Sequence, residues 1–179
     1  MGWVLVRRFA VNFLKCRRFS LACCECAAAL LPANVINMSH LQDVLQLRVR
    51  YSETDQMGTF YNLRPLEWFE CGRTELMRRK LGMSYAELEV KNVFLPLVEA
   101  HLEFPGGARY DDLLDIATTV EVSGRAKLRF DVHINQNANG RPVVRGYTVH
   151  AFADADGKPI RPPPWFLELL QKNASPAGK

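Results

Sequence analysis

A short segment, YSETDQMGTFYN at positions 51–62, contains the side chains best suited to carry out a reaction. Asp55 could serve as a general base or as a nucleophile, because a carboxylate can activate water or attack a carbonyl carbon itself. Asp and Gly are also frequent turn formers, so Asp55 could simply cap a turn in which Gly58 takes a positive φ. Composition alone favours the turn.

The position of this segment between a strand and a helix favours a catalytic role for Asp55. Before it, VLQLRVRY (44–51) alternates apolar and polar residues, which predicts a half-buried strand with Leu45, Leu47, Val49 and Tyr51 on one face. After it, residues 65–82 form an apolar stripe at helical spacing that starts at a proline and stops at a glycine. The free N–H groups and the positive dipole end at a helix start can stabilise an oxyanion beside Asp55.

The second half of the chain predicts four strands and a closing helix. Apolar residues alternate in VEAHLEF, DLLDIATTVEV and KLRFDVHI, and residues 142–153 read as a more buried strand. Short turns between strands favour antiparallel neighbours. We therefore expect an α+β fold in which one long helix packs against a curved antiparallel sheet of about five strands. Such a sheet leaves open edges, so a second subunit is expected to pair with it.

The net charge of +4 comes from the first 37 residues, and the remainder of the chain carries equal numbers of basic and acidic residues. A broad nucleic-acid-binding face is therefore not expected. Residues 1–37 are basic and then apolar, which fits a targeting leader, a membrane-surface helix or an extension upstream of Met38, and the apolar run is too short to span a bilayer. We divide the chain into a poorly ordered leader or upstream extension (1–40) and one domain (41–175).

Motifs for other chemistries are not found. The sequence contains no P-loop, no GxGxxG after a strand, no GxSxG and no HExxH, and its four histidines lack ligand spacing. His101 and His133 are expected to be solvated, and Cys71 to be a packed thiol inside the helix. The CCEC run has no partners at metal-ligand spacing, so we expect no metal and no cofactor. A single cysteine beyond residue 37 indicates a reducing compartment, and hence the cytoplasm.

Three longer segments carry a resemblance to a known family. RVRYSETDQMGTFYNLRPLEWFECGRTELMR resembles the opening of the hot-dog acyl-CoA thioesterases of the 4-hydroxybenzoyl-CoA thioesterase family. LPLVEAHLEFPGGARYDDLLDIATTV and GYTVHAFADADGKPIRPP are similar to the later strands of that family, in the same order. The resemblance covers about residues 44–165. It implies a hot-dog fold, assembly into dimers or tetramers, and hydrolysis of acyl-CoA, with CoA as part of the substrate.

The resemblance also assigns residues to roles. Asp55 corresponds to the catalytic carboxylate, and Asn62 to the position whose backbone N–H polarises the thioester carbonyl. Pro65 departs from the family, in which an aromatic is usual, and it removes one amide near the site. The oxyanion donors are therefore expected to be the N–H groups of Asn62, Leu63 or Arg64, or those of Gly58 and Thr59 in the turn, with Gly58, Thr59 and Asn62 as the first candidates. The family places basic groups for the CoA phosphates at the subunit boundary, which here suggests Arg109, Arg125, Lys127 and Arg161.

Other carboxylates and other functions stay open at this point. Glu53 is expected to be a solvated loop charge. Glu67 and Glu70 are rivals of Asp55, since some hot-dog enzymes use a glutamate on the central helix. The same fold could also act on acyl carrier protein thioesters, or bind acyl-CoA as a dimer without turnover. A dehydratase is less expected, because no histidine lies near the loop or the helix start.

Overall fold

The computed structural model describes residues 41–174, which form one sheet and three helices. The strands are β1 (Leu41–Arg48), β2 (Leu97–Glu103), β3 (Leu113–Ser123), β4 (Lys127–Gln136) and β5 (Pro142–Ala151). The helices are α1 (Arg64–Leu81), α2 (Tyr85–Val90) and α3 (Pro164–Asn173), and a 3-10 turn covers Tyr51–Glu53. Residues 1–40, for which we predicted a leader or extension, lie outside the described part of the chain.

All neighbouring strands are antiparallel, in the order β1-β3-β4-β5-β2. The turns between β3 and β4 and between β4 and β5 are short, so these strands pair as hairpins, as the sequence predicted. One end of the sheet holds Gln136 of β4 next to Leu114 of β3, and we call it the Gln136 end. The other holds Lys127 next to Ser123, and we call it the Lys127 end. The ten residues of β4 separate the two ends by about 30 Å.

The inner faces of β3 and β4 form the floor of the core. Every alternate residue predicted to face inward is buried there: Leu114, Ile116, Thr118, Val120, Leu128, Phe130, Val132 and Ile134. α1 packs mainly over β1 and β3 and buries Trp68 and Phe69 in the core. A Cβ on Gly72 would lie 2.5 Å from Thr118 Oγ1, so this glycine allows the helix to approach the sheet closely.

The ends of α1 follow local chemistry. Pro65 lies in the first turn, where its missing N–H costs no helical hydrogen bond. Gly82 adopts a left-handed conformation (φ 62°) and donates its N–H to the Met77 carbonyl, which ends the helix as predicted. α2 begins with a capping box in which Ser84 and Glu87 bond each other reciprocally.

Two strand predictions are wrong in detail. β1 begins at Leu41 and ends at Arg48, and Tyr51 is 79 % exposed, because the chain leaves the sheet and enters the 3-10 turn. The alternation in VEAHLEF predicted one apolar face that includes Val98 and Phe104, but Phe104 lies beyond the end of β2 and both side chains are about half exposed. β2 is an edge strand, and α1 lies over the opposite edge of the sheet.

Candidate active site

The segment from Thr54 to Phe60 is a tight hairpin that places Asp55 at the Gln136 end. Asp55 N–H donates to the Thr59 carbonyl (2.9 Å), and Gly58 N–H donates to the Asp55 carbonyl (3.0 Å). Gly58 has φ 73°, which a glycine adopts without strain. Thr59 Oγ1 donates to the Ala108 carbonyl (3.1 Å), so the hairpin is held against the loop between β2 and β3. The turn that composition predicted is therefore present.

The Asp55 carboxylate uses only one of its oxygens for this turn. Oδ1 accepts a hydrogen bond from Met57 N–H at 2.8 Å, and within residues 41–174 no group donates to Oδ2. The residue is partly exposed. One oxygen thus orients the carboxylate while the other remains available to water or to a carbonyl carbon. The structural and the chemical interpretation of Asp55 are compatible.

The chain contains a second turn of the same design. Asp154 N–H donates to the Lys158 carbonyl (3.0 Å), Gly157 N–H donates to the Asp154 carbonyl (2.9 Å), and Asp154 Oδ1 accepts from Asp156 N–H (3.1 Å). Gly157 is left-handed, with φ 76°. This turn follows β5 and precedes α3, away from the start of α1. Turn geometry alone therefore does not distinguish Asp55 from Asp154. What distinguishes Asp55 is that its turn lies just before the start of α1.

The residues before α1 offer free backbone donors. Arg64 N–H donates to the Tyr61 carbonyl (2.9 Å) and Leu66 N–H to the Leu63 carbonyl (3.3 Å). Among the described residues, the N–H groups of Asn62 and Leu63 have no acceptor, and both residues are exposed. Pro65 supplies no N–H at all. Two adjacent amides at a helix start are the kind of donor that can bind an oxyanion.

The two turn residues proposed as oxyanion donors differ. Gly58 N–H is already engaged by the Asp55 carbonyl. Thr59 N–H has no acceptor among residues 41–174, although the Thr59 carbonyl and hydroxyl are both bonded. Gly58 therefore contributes through the shape of the turn, and Thr59 keeps an unengaged amide beside Asp55.

Glu53 is buried, and the prediction of a solvated charge is wrong. Its side chain is 1 % exposed and accepts hydrogen bonds from Arg50 N–H (2.6 Å), Arg50 Nη2 (2.9 Å) and Trp68 Nε1 (3.0 Å). Burial by itself would raise the pKa of Glu53, but the bonds from Arg50 and Trp68 outweigh it, and the net pKa is lowered. The carboxylate ties the 3-10 turn to α1. The Trp68 contact, fifteen residues away, left no signal in the sequence.

The rivals of Asp55 lie on the exposed face of α1. Glu67 pairs with Arg64 (2.7 Å) and Glu70 lies 3.7 Å from Arg73, and both carboxylates are more than half exposed. Both line a groove of about 590 Å³ between β1 and α1.

Cys71 lines the same groove and is exposed, so the expectation of a packed thiol is wrong. The buried residues of α1, such as Phe69 and Gly72, follow a stripe that position 71 does not share. Partial burial and, next, the charge of Glu70 raise the pKa of the Cys71 thiol. A raised pKa disfavours the thiolate, so Cys71 is a poor nucleophile.

The basic residues suggested for CoA divide between the two ends of the sheet. Arg109 lies at the Gln136 end, in a pocket of about 410 Å³ that Gly58 and Thr59 also line. Arg125 and Lys127 lie at the Lys127 end, in and after the turn between β3 and β4. Arg161 follows Ile160, whose N–H donates to the Phe152 carbonyl just beyond β5, at the same end. Within one chain, Arg109 alone of the four is near Asp55.

Two of the histidines behave as the sequence indicated, since His101 and His133 are exposed on the outer face of the sheet. In the part of the chain that the structure describes, no cluster of three or more His, Cys, Asp or Glu side chains could hold a metal ion. No helix of residues 41–174 combines the length and apolarity needed to cross a membrane.

Comparisons with known proteins agree with this architecture. Residues 49–170 match the sequence model of the Thioesterase-like superfamily. The YneP protein of Bacillus subtilis, whose name describes it provisionally as an acyl-CoA thioesterase, is 32 % identical over 117 residues, covering 65 % of this chain and 83 % of YneP. The acyl-CoA thioesterase YbgC of Haemophilus influenzae is 30 % identical over 91 residues, covering 51 % of this chain and 67 % of YbgC.

Solved structures give the same fold. A DHNA-CoA thioesterase from Staphylococcus aureus superimposes with a TM-score of 0.67 at 27 % identity, covering 73 % of this chain and 89 % of that one. The 1,4-dihydroxy-2-naphthoyl-CoA thioesterase Slr0204 from Synechocystis superimposes with a TM-score of 0.68 at 20 % identity, covering 75 % of this chain and 99 % of that one. At this low identity, the similarity supports the fold alone. The molecule thus has the hot-dog fold of a thioester hydrolase, as the sequence predicted. The chain belongs to the thioesterase-like superfamily.

Proposed function

We propose that this protein hydrolyses an acyl-CoA thioester to a free carboxylic acid and CoA, with Asp55 as the catalytic carboxylate. One observation carries the proposal: Asp55 has one oxygen fixed by Met57 N–H and the other unengaged, immediately before a helix whose leading amides are unengaged too. The names of YneP and YbgC, both acyl-CoA thioesterases by description, support the same substrate class.

The hairpin register supports a division of labour between Asp55 and Asn62. Asp55 pairs with Thr59, and Tyr61 N–H donates to the Glu53 carbonyl at 2.8 Å, so Asn62 lies three positions beyond the partner of Asp55. Three residues span at most about 11 Å, so the Asn62 amide lies within about that distance of Thr59, the partner of Asp55. A reacting thioester would have to fit between Asp55 and the amide. The Asp55 carboxylate would contact its carbonyl carbon at about 3 Å, and its carbonyl oxygen would accept a hydrogen bond of about 2.9 Å from the amide. Together with the aspartate side chain, these contacts span a similar distance.

Two chemical routes fit this arrangement. As a general base, Asp55 Oδ2 takes a proton from a water molecule, whose oxygen attacks the thioester carbonyl. As a nucleophile, Oδ2 attacks the carbonyl itself, and water then cleaves the resulting anhydride. In either route the amides of Asn62 and Leu63 stabilise the oxyanion, the C–S bond breaks, and CoA leaves as the thiolate and takes up a proton.

We also propose a homodimer in which edge strand β2 pairs with β2 of a second copy. Within residues 41–174, β2 has no partner strand on its outer side, and Leu97 and Val98 there are about half exposed, whereas isolated edges are normally covered. Antiparallel pairing would bring the Lys127 end of the second copy, with its Arg161, toward the Asp55 hairpin. That hairpin lies near the edge, because the rings of Phe60 and Phe104 are 6.3 Å apart. Sedimentation analysis tests this arrangement, and a monomer at all concentrations contradicts it.

The decisive experiment compares the two similar turns. Asp55→Asn keeps an oxygen that can accept from Met57 N–H and removes the charge, so the turn should survive while kcat falls about 100-fold to 10,000-fold. Asp154→Asn makes the same change in the second turn and should leave kcat unaltered. Turnover is followed by release of free thiol from a panel of short, long and aromatic acyl-CoAs, and CoA binding is measured by calorimetry.

The outcomes separate the candidate functions. Retained activity in Asp55→Asn would refute the assignment of the catalytic residue. If the wild type cleaves acyl carrier protein thioesters and none of the acyl-CoAs, the carrier-protein thioesterase is the better interpretation. Tight acyl-CoA binding without turnover of any substrate would identify a binding protein instead of an enzyme.

A further inference from the structure

Among the buried residues of positions 41–174, Glu53 is the one carboxylate. An ionised carboxylate is costly to bury unless several donors satisfy it. Three donors do so here: Oε2 accepts from Arg50 N–H, and Oε1 accepts from Arg50 Nη2 and from Trp68 Nε1. These bonds hold the pKa of Glu53 below its usual range, so the carboxylate is ionised at neutral pH. Both oxygens are engaged and the side chain is buried, so Glu53 does not contact substrate and is not itself a catalytic residue.

The main chain of Glu53 joins the two strands of the Asp55 hairpin. Its carbonyl accepts the Tyr61 N–H at 2.8 Å. Asp55 lies two residues after Glu53, and Asn62 follows Tyr61 directly. The Asp55 carboxylate and the proposed oxyanion amide of Asn62 are therefore attached, on opposite strands, to the residue whose side chain is bonded to Trp68 of α1.

The second turn, at Asp154, shows which side chain the same hairpin design carries away from the start of α1. Phe152 occupies the position of Glu53, two residues before the aspartate, and its carbonyl accepts the Ile160 N–H at 2.9 Å in the equivalent register. Phe152 is fully buried in the apolar core. An apolar side chain therefore suffices to anchor such a hairpin by packing. In the Asp55 hairpin a buried carboxylate takes that place, and its hydrogen bonds fix direction as well as distance.

We propose that Glu53 is a positioning residue for catalysis, which holds the Asp55 carboxylate at a fixed distance from the amides at the start of α1. The proposal rests on the function proposed above and adds the residue through which that site is held. The bond from Trp68 Nε1 ties the hairpin to the second turn of the helix whose first amides would bind the oxyanion. Arg50 balances the buried charge. A misplacement of about 1 Å between reacting groups can lower a rate about 100-fold, so the loss of this anchor should appear in kcat.

The test asks whether Glu53 acts through Asp55. Glu53→Gln, Asp55→Asn and the double variant are assayed by thiol release from the best acyl-CoA of the panel, at a temperature at which circular dichroism shows each variant folded. Glu53→Gln should lower kcat at least about tenfold and leave KM within about twofold of the wild type. In the Asp55→Asn background the same substitution should change the residual kcat less than about twofold, because no carboxylate is left to misplace.

Two controls separate positioning from a general loss of stability or charge. Val120→Ala removes buried methyl groups from β3 toward the Lys127 end, and Glu89→Gln removes an exposed carboxylate from α2. Both variants should keep kcat and KM within about twofold of the wild type. If Glu53→Gln does not fold, Trp68→Phe replaces it, because this change removes the Nε1–H donor and keeps an aromatic ring. It should lower kcat at least about threefold, with KM unchanged and with no further effect in the Asp55→Asn background.

Several results would overturn the proposal. A kcat equal to that of the wild type would show that the anchor is not needed, and an equal fall in both backgrounds would show that Glu53 does not act through Asp55. Full activity in Asp55→Asn would remove the catalytic residue and this proposal with it. If the wild type hydrolyses no thioester, the proposed function fails, and amide hydrogen exchange decides on the anchor. Faster exchange of Tyr61 N–H in Glu53→Gln, with Ile160 N–H unchanged, supports it, and equal exchange of Tyr61 N–H refutes it.

Discussion

His150 should make the folded state sensitive to mild acid. Its side chain is 1 % exposed, and its Nδ1–H donates to the Leu95 carbonyl (2.9 Å), since a carbonyl oxygen can only accept. Nε2 is then free to accept from the Thr148 hydroxyl (3.1 Å), and the ring of Phe130 approaches edge-on at 5.5 Å. Burial lowers the pKa of His150 from 6.5 to about 4, the bond to Leu95 opposes this effect, and the charge of Arg73 adds to it.

The sign and size of the effect follow from this lowered pKa. The unfolded chain takes up a proton at His150 below about pH 6.5, and the folded chain does so only near pH 4. The stability contributed by neutral His150 is therefore complete above pH 6.5 and is lost as the pH falls towards 4. A difference from 6.5 to about 4 corresponds to about 3 kcal/mol of unfolding free energy.

Urea unfolding at several pH values from 7.5 to 4, at one protein concentration, measures this loss. His150→Gln cannot take up the proton, so between these pH values it should lose about 3 kcal/mol less than the wild type. His133→Gln, on the exposed face of β4, should keep the dependence of the wild type. Parallel curves for the wild type and His150→Gln would show that burial of this imidazole does not control acid stability.

Two further substitutions test the packing that positions the site. Gly72→Ala should lower the unfolding free energy by about 1–3 kcal/mol despite the better helix propensity of alanine. The reason is that the new Cβ would lie 2.5 Å from Thr118 Oγ1 and 2.9 Å from Ile116 Cγ2. Thermal melts measure this change, and unchanged stability would contradict the close contact between α1 and the sheet. Glu53→Gln should lower the unfolding free energy by about 1.5–3 kcal/mol at neutral pH, because the amide NH₂ places a donor among the N–H groups of Arg50 and Trp68. Urea unfolding measures this change. An unchanged unfolding free energy would show that the buried carboxylate is dispensable for stability.

The strands of the sheet were largely predictable from alternation. β3 and β4 follow a strict two-residue period, and their inward residues are buried as expected. The limits of β1 and the exposure of β2 were not predictable, because they depend on where the chain meets α1 and on which strand ends at the edge. The alternation of apolar and polar residues indicates which face of a strand is apolar, but it does not indicate which element packs on that face.

The site shows the same division. Asp55, Gly58 and the helix start are neighbours in sequence, so local rules for turns and helix ends identified them. The burial of Glu53 depends on Trp68, fifteen residues away. The position of Arg141 in the same pocket as Gly58 and Thr59 depends on strand pairing over more than eighty residues. Such contacts arise from packing, which no local pattern specifies.

The sequence by itself contains the D-x-x-G pattern at Asp55 and again at Asp154, and its periodicity predicted the strands and the long helix of the domain. The tertiary structure decided that only the first turn lies before α1, with unengaged amides and an open pocket beside it. The physical reason is that turn formation needs only hydrogen bonds within five residues. A reactive environment needs a helix end, a neighbouring loop and unneutralised charge brought together by the packing of the whole sheet.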